Sequence, residues 1–342
     1  MKKIVSLVLS ICLFIALPFQ VTAKASSDFS DLQDLDAATK AKFDAMISAG
    51  IFDGVSDGVF GIEEEMNRAQ FAKVAALIFG LNVDEEVKTS SFTDVAATDA
   101  ANGYALPYIE AIKAAGITDG YGEGVYNPSG AVTKEQLATF LVRGLGKGDS
   151  ATGQPGSNDP TVSNWAQGYV AAALEMGLLN NGIDGHFGGM DSASRDLLAL
   201  GAYETKREVE KESLPTIVSE VVVDGYREIR ISFASPIDES SIRLSNIRIN
   251  GHALSDELDR FTLSEDGQTL LIQLHPGFEW GYGTDPKIEI DLLKTVFGNV
   301  ITDTVASEIV KVTNPPMPTP TPEPESTPEP IWTPTPTPTP TP

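Results

Sequence analysis

Cysteine occurs once among the 342 residues, at Cys12, and histidine three times, at His186, His252 and His275. A lone thiol closes no intramolecular disulfide. The histidines fall in separate contexts without ligand spacing, so neither a metal centre nor a cofactor is expected. Basic residues number 24 against 48 acidic ones, a formal charge of −24, which excludes a generally basic nucleic-acid binder. After Phe19 no apolar run approaches the roughly 20 residues of a membrane helix, so no transmembrane span is expected in the mature chain. Catalytic signatures are missing as well. There is no nucleophile elbow, and Gly144-Leu145-Gly146-Lys147-Gly148 lacks the Ser or Thr of a phosphate loop. Asp53, Asp57-Gly58 and Glu64 imitate a calcium loop, but Val55 stands where a ligand belongs. The chain is expected not to be an enzyme.

What is present divides the chain into pieces. Lys2 and Lys3 precede an apolar run from Ile4 to Phe19, and Ala23-Lys24-Ala25 has the small-x-small form of a cleavage site. Residues 1–25 therefore read as a signal peptide and the mature chain as secreted. Cys12 leaves with the leader; Ile11 before it lacks the small side chain of a lipidation box. At the other end, 13 of the 22 prolines follow Asn314. Thr-Pro and Glu-Pro alternation over 314–342 reads as a disordered linker or stalk in polyproline II, extending about 3.1 Å per residue.

Self-comparison gives a threefold repeat over 26–84, 85–149 and 150–210. Aligning Gly50-Ile51, Gly116-Ile117 and Gly177-Leu178 brings four further columns together without a gap. They are Phe60, Tyr126 and Phe187; Met66, Val132 and Ala193; Arg68, Lys134 and Arg195; and Phe71, Leu137 and Leu198. Upstream, Ala38, Tyr104 and Trp165 share a column, and Phe29 matches Phe92. Each unit reads as helix, glycine-rich loop, helix. Tyr104, Tyr108, Ile109, Ile112 and Ala115 recur at helical spacing as one buried face, which Gly116 ends. The second helices begin at capping residues: Asn67 with Gln70 and Thr133 with Gln136 form capping boxes, whereas Ser194 can cap but Leu197 cannot answer.

From 211 to 313 the period becomes two. Ile229, Ile231 and Phe233 alternate with polar residues, as do Leu270, Ile272 and Leu274, and Ile288, Ile290 and Leu292. With Asn250-Gly251 and Asp266-Gly267 as hairpin turns, about seven strands are expected, the spacing of an immunoglobulin-like sandwich. The fold class expected is thus multidomain: an all-α three-repeat unit, an all-β Ig-like module and a Pro/Thr-rich tail.

Phe92-Thr93-Asp94-Val95, Gly116-Ile117-Thr118-Asp119-Gly120-Tyr121-Gly122, Val132-Thr133-Lys134-Glu135-Gln136 and Trp165-Ala166 resemble the S-layer homology (SLH) family. The resemblance covers about residues 29–208. It implies three repeats packed as a pseudo-threefold helical bundle that holds an exported protein non-covalently to a pyruvylated secondary polysaccharide of a Gram-positive-type cell wall. Ile231-Ser232-Phe233 with Pro236-Ile237-Asp238, and Val296-Phe297-Gly298-Asn299, resemble bacterial Ig-like modules, which implies a spacer or interaction module. No Leu-Pro-x-Thr-Gly sorting signal is seen; Leu214-Pro215-Thr216 lacks the rest.

Each unit sets a cap beside a cation: Asn67-Arg68, Thr133-Lys134 and Ser194-Arg195. A helix N-terminus with an adjacent cation suits a carboxylate or phosphate. These six residues are the candidate polysaccharide-binding set, with Tyr104 and Trp165 as flat surfaces for a sugar ring. Two bland readings stand beside this one. A basic residue in a first turn is commonly solvated or paired, and half-buried aromatics also serve as core. An anchored secreted enzyme with its catalytic part elsewhere or hidden, and a lattice-forming S-layer protein, are the alternative functions. Departures from the family signature, such as Asn67-Arg68-Ala69-Gln70 and Lys134 in place of Arg, leave open how many grooves act.

Overall fold

The computed structural model describes residues 24–153, 155–214, 218–224, 227–279 and 286–313. Residues 1–23 of the expected signal peptide (1–25) and the whole of the expected stalk (314–342) lie outside the described residues. The helical part contains α1 (Ala37–Ser48), α2 (Arg68–Ile78), α3 (Leu106–Ala114), α4 (Lys134–Gly144), the short α5 (Gly148–Thr152), α6 (Gln167–Glu175) and α7 (Arg195–Ser213). The first helix of each unit ends the same way. Gly50, Gly116 and Gly177 have φ of +66°, +71° and +67°. The following amides of Ile51, Ile117 and Leu178 reach back to the carbonyls of Met46, Ile112 and Ala173 at 2.9–3.0 Å. Only glycine takes this left-handed position cheaply, which is why the column is invariant across the units.

The helices pack across units. α3 lies on α2, α6 on α4, and α1 on α7, while α2, α4 and α7 contact one another at the centre. Phe60, Tyr126 and Phe187 and the Met66, Val132 and Ala193 column are buried in this shared core. The helical face of α3 differs from the spacing argument: Ala105, Leu106, Ile109 and Ile112 are buried, but Tyr104 and Ala115 are exposed. Tyr104 sits in a 3-10 turn (Gly103–Ala105) before α3, so the 3.6-residue period does not extend to it.

Nine strands are named among the described residues: β1 (Val218–Asp224), β2 (Glu228–Phe233), β3 (Ile247–Ile249), β4 (His252–Ala253), β5 (Arg260–Leu263), β6 (Thr269–Gln273), β7 (Ile288–Lys294), β8 (Val300–Thr304) and β9 (Val310–Thr313). They form a five-stranded sheet, β5-β6-β2-β1-β9, and a four-stranded sheet, β4-β3-β7-β8. One apolar core takes side chains from both. β1 and β9 are parallel, with Val221 opposite Val310 and Asp224 opposite Thr313. The two expected hairpin turns are present, with Asn250, Gly251 and Gly267 at positive φ. In β7 the alternation breaks. Leu292 has φ +55° and is 57% exposed, and Leu293 takes the buried place beside Ile288 and Ile290. The register shift between Ile290 and Leu293 explains it: a bulge inserts one residue and turns every later side chain to the opposite face.

The two parts are joined by a buried contact. The Glu210 carboxylate near the end of α7 accepts hydrogen bonds from Thr295 Oγ1 (2.6 Å), Asn299 Nδ2 (2.8 Å) and the Ser235 hydroxyl. Beside it Phe297, from the β7–β8 turn, is fully buried in the helical core against Tyr203. Burial lowers the pKa of the Lys206 ammonium, an effect that Glu210 partly offsets.

Candidate functional site

The site begins with how the second helices start. Asn67 and Thr133 accept from the amides of Gln70 (2.8 Å) and Gln136 (3.3 Å), closing both capping boxes. Ser194 makes no cap; its hydroxyl turns to Asp196 instead. The first amides of these helices are also occupied. Arg68 and Ala69 donate to the carbonyls of Gly130 and Pro128, Lys134 and Glu135 to Asp191 and Gly189, and Arg195 and Asp196 to Glu64 and Ile62. Each N-terminus is tied to the loop of another unit, so the amides expected to cradle an anion are already spent on protein carbonyls. The cations are what remains.

Their side chains travel away from their own caps. Arg68 is 2% exposed. Its Nε donates to the Tyr126 carbonyl at 2.7 Å, and the Tyr126 hydroxyl donates back to the Arg68 carbonyl at 2.9 Å. The guanidinium carbon lies 4.6 Å from the Tyr121 ring and 4.5 Å from the Tyr126 ring, a stacked cation buried between aromatics. Arg195, 7% exposed, repeats the arrangement with the carbonyls of Phe60 (3.1 Å) and Asp53 (2.7 Å). Burial lowers its pKa, with Glu64 and Asp31 acting against the change. Lys134 stays more open and lies 3.4 Å from Asp191.

Three hollows result, each combining a cation from one unit with the loop and second helix of the next. The first, about 470 Å³, joins Arg195 to the Gly50–Val55 loop, Lys73 and Tyr104. The second, about 330 Å³, joins Arg68 to the Thr118–Tyr121 loop, Arg143 and Trp165. The third, about 280 Å³, joins Lys134 to the Gly177–Gly182 loop, Leu200 and Glu204, with Lys42 across it. Thus Tyr104 and Trp165 each stand with a cation, while Asn67, Thr133 and Ser194 line none of these three hollows. Trp165 is 54% exposed and Tyr104 49%; neither is core. In the second hollow Arg143 donates to Asp119 (2.8 Å) and to the Tyr169 hydroxyl (3.2 Å), which raises it further above the ordinary arginine value against the effect of its burial. In the third, Lys42 pairs with Glu204 at 2.6 Å.

Sequence reasoning gave no role to one further column. Asp31 accepts from the amides of Phe60, Gly61 and Ile62 at 2.7–3.0 Å, Asp94 from Tyr126 and Asn127 at 2.7–2.9 Å, and Asp159 from Phe187 at 2.7 Å. Each carboxylate pins the loop that forms a hollow. The signal was Phe29-Ser30-Asp31 against Phe92-Thr93-Asp94, an acid two residues after a repeated aromatic. Hydrogen bonding from the Thr161 hydroxyl and then from backbone amides holds Asp159 down to about 2. At Asp31 burial works upward, but the three amides outweigh it and the value is lowered. A depressed carboxylate lends stability that is complete above its unfolded value near 4 and is lost as pH falls through its folded value. Urea midpoints should therefore decline between about pH 4 and pH 2. Replacing both Asp31 and Asp159 by Asn should lower the midpoint at pH 7 and flatten that acid limb; an unchanged slope would remove these carboxylates as its cause.

Among the described residues no helix is long and apolar enough to cross a membrane. The S-layer homology domain family model matches residues 28–72 and 91–138. The chain is 30% identical over 134 residues to an uncharacterized cell wall amidase of Bacillus anthracis, covering 39% of this chain and 24% of that protein. It is 23% identical over 233 residues to the S-layer protein sap of Bacillus anthracis, covering 67% and 27%. A cell surface protein of Thermoanaerobacter kivui is 26% identical, covering 53% and 22%. The chain therefore spans about a quarter of the length of these relatives. S-layer homology domains together with S-layer and cell-surface relatives mark a secreted cell-surface protein.

Proposed function

We propose that the chain is a non-catalytic anchor. Residues 26–84, 85–149 and 150–210 act as three S-layer homology repeats around a pseudo-threefold axis, gripping a pyruvylated, anionic polysaccharide of a Gram-positive-type wall. Residues 211–313 form an Ig-like spacer. The observation that supports this most is the second hollow, where the exposed rings of Trp165 and Tyr121 flank the guanidiniums of Arg68 and Arg143. An exposed indole beside a half-buried arginine matches a ligand with an apolar ring face and a carboxylate. Asn67, Thr133 and Ser194 then act through the backbone around the hollows. The hollows are unequal: in the third, Lys42 pairs with Glu204 and Lys134 with Asp191, whereas in the second Arg68 has no carboxylate partner among the described residues.

The test is sedimentation of residues 24–313 with purified cell walls before and after chemical removal of the pyruvate ketals. Co-pelleting is expected only with intact walls. Equal pelleting with stripped walls, or none with either, would overturn the reading. Because the net charge repels an anionic polymer at long range, retention should hold or improve as salt rises from low ionic strength.

A further inference from the structure

The first hollow has a neighbour. A second depression of about 640 Å³ lies against it, lined by Lys88, Pro107, Tyr108 and Glu85, and the two share Lys73 and Tyr104 as their common rim. Tyr104 rises between them with half of its surface exposed. Lys73 is exposed and has no ion pair among the described residues, and the Lys88 ammonium donates to the Glu85 carbonyl at 3.1 Å, which leaves its charge unneutralised. Two lysines and two phenol rings thus line two adjoining hollows, with Asp53 and Glu64 beside Arg195 in the first and Glu85 in the second. The third hollow also has a neighbour, of about 510 Å³, but the two share Lys134 without a tyrosine; the Lys73 position is Thr139 and Leu200 in the other units and the Tyr104 column is Trp165 and Ala38.

We propose that these adjoining hollows form an extended subsite: the first hollow together with its neighbour takes an acidic oligosaccharide of two or more sugar residues, bent over the Tyr104 ring, with Lys73 and Lys88 meeting negative groups beyond the one held near Arg195. This rests on the polysaccharide-binding reading and adds to it a length requirement confined to one hollow. Rings stacked on tyrosine supply the apolar contact, and the lysines act as point charges without strict geometry, which suits a polymer of variable register.

The test is calorimetric titration of the 24–313 chain with a synthetic pyruvate-ketal hexosamine and with two- and four-residue acidic oligosaccharides ending in the same ketal. Wild type should bind the longer probes about tenfold more tightly than the monosaccharide, as two added charge contacts imply. Lys88→Gln, which alters the neighbouring depression alone, should remove most of that gain and leave monosaccharide affinity unchanged; the side chain is exposed, so the fold is not at stake. Binding that is independent of length in wild type, or a length gain that survives Lys88→Gln in full, overturns the subsite alone. Absence of binding by every probe overturns the polysaccharide reading and the subsite with it.

Discussion

Replacing Arg143 and Trp165 together by alanine is expected to weaken retention on the wall polymer by about a hundredfold while the chain stays folded. A charged hydrogen bond to a carboxylate contributes roughly 1.5–3 kcal/mol, and stacking on an aromatic face about 0.5–1.5 kcal/mol. Removing both therefore costs two to three decades of affinity at most. The fold is largely spared because Trp165 is exposed and Asp119 is open to solvent, so that the Arg143–Asp119 pair contributes about 1 kcal/mol or less, and the lost hydrogen bond to the Tyr169 hydroxyl adds about 1 kcal/mol more. Arg68 would be the wrong residue to change. Its guanidinium is enclosed by rings and bonded to the Tyr126 carbonyl, so Arg68→Ala would open a cavity and orphan a buried acceptor. Loss of binding in that variant would not separate ligand contact from folding. Sedimentation with walls reads the Arg143 and Trp165 effect, and unaltered far-UV circular dichroism checks the fold. Retention within threefold of wild type would move the binding site elsewhere.

The second large effect belongs to Phe297. Truncating a fully buried phenylalanine costs about 3–5 kcal/mol, and here the ring comes from the β module yet is buried among helices. Phe297→Ala is therefore expected to destabilise the helical part more than the sheets that carry the residue. In urea, the helical signal of the variant should unfold at a clearly lower midpoint, separating from the β transition. A shift confined to the β signal would show that the ring belongs to the sheet core instead. The same contact bears on truncation: a fragment ending at residue 210 loses Phe297 and the Ser235, Thr295 and Asn299 donors to the Glu210 carboxylate, leaving a charge without the hydrogen bonds it has in the intact chain.

Features set by neighbours in sequence were legible without coordinates. The glycine that stops each first helix, the Asn67 and Thr133 boxes and the Asn250-Gly251 turn depend on residues within five positions of one another. Their chemistry is written locally. Features set across the chain were not. Arg68 finds its carbonyl 58 residues away, and Arg195 reaches the carbonyl of Phe60 across 135. Residue type alone made them surface cations at helix starts; tertiary packing makes them buried, stacked and shared between units. Ser194 illustrates a local competition that composition does not decide, since Asp196 captures the hydroxyl that would have capped. Leu292 shows another: alternation marks it as core, and one inserted residue hands that place to Leu293. Of the candidate site, the cations and aromatics were visible as columns, but their pairing was not. The sequence column places Arg68 beside Asn67, whereas the fold places it with Trp165.

The parallel pairing of β1 and β9 acquires a meaning once tension is considered. The helices attach at the start of β1, and β9 runs in the same direction to Thr313. A pull between the helical part and Thr313 therefore draws the two strands past each other lengthwise. The hydrogen bonds from Val221–Val310 to Asp224–Thr313 are then loaded together in shear and do not open in succession like a zip. In that geometry the β1–β9 pair resists stretching as a clamp, while the Glu210 and Phe297 joint ties the helices to the β7–β8 turn beside the covalent link from α7 to β1.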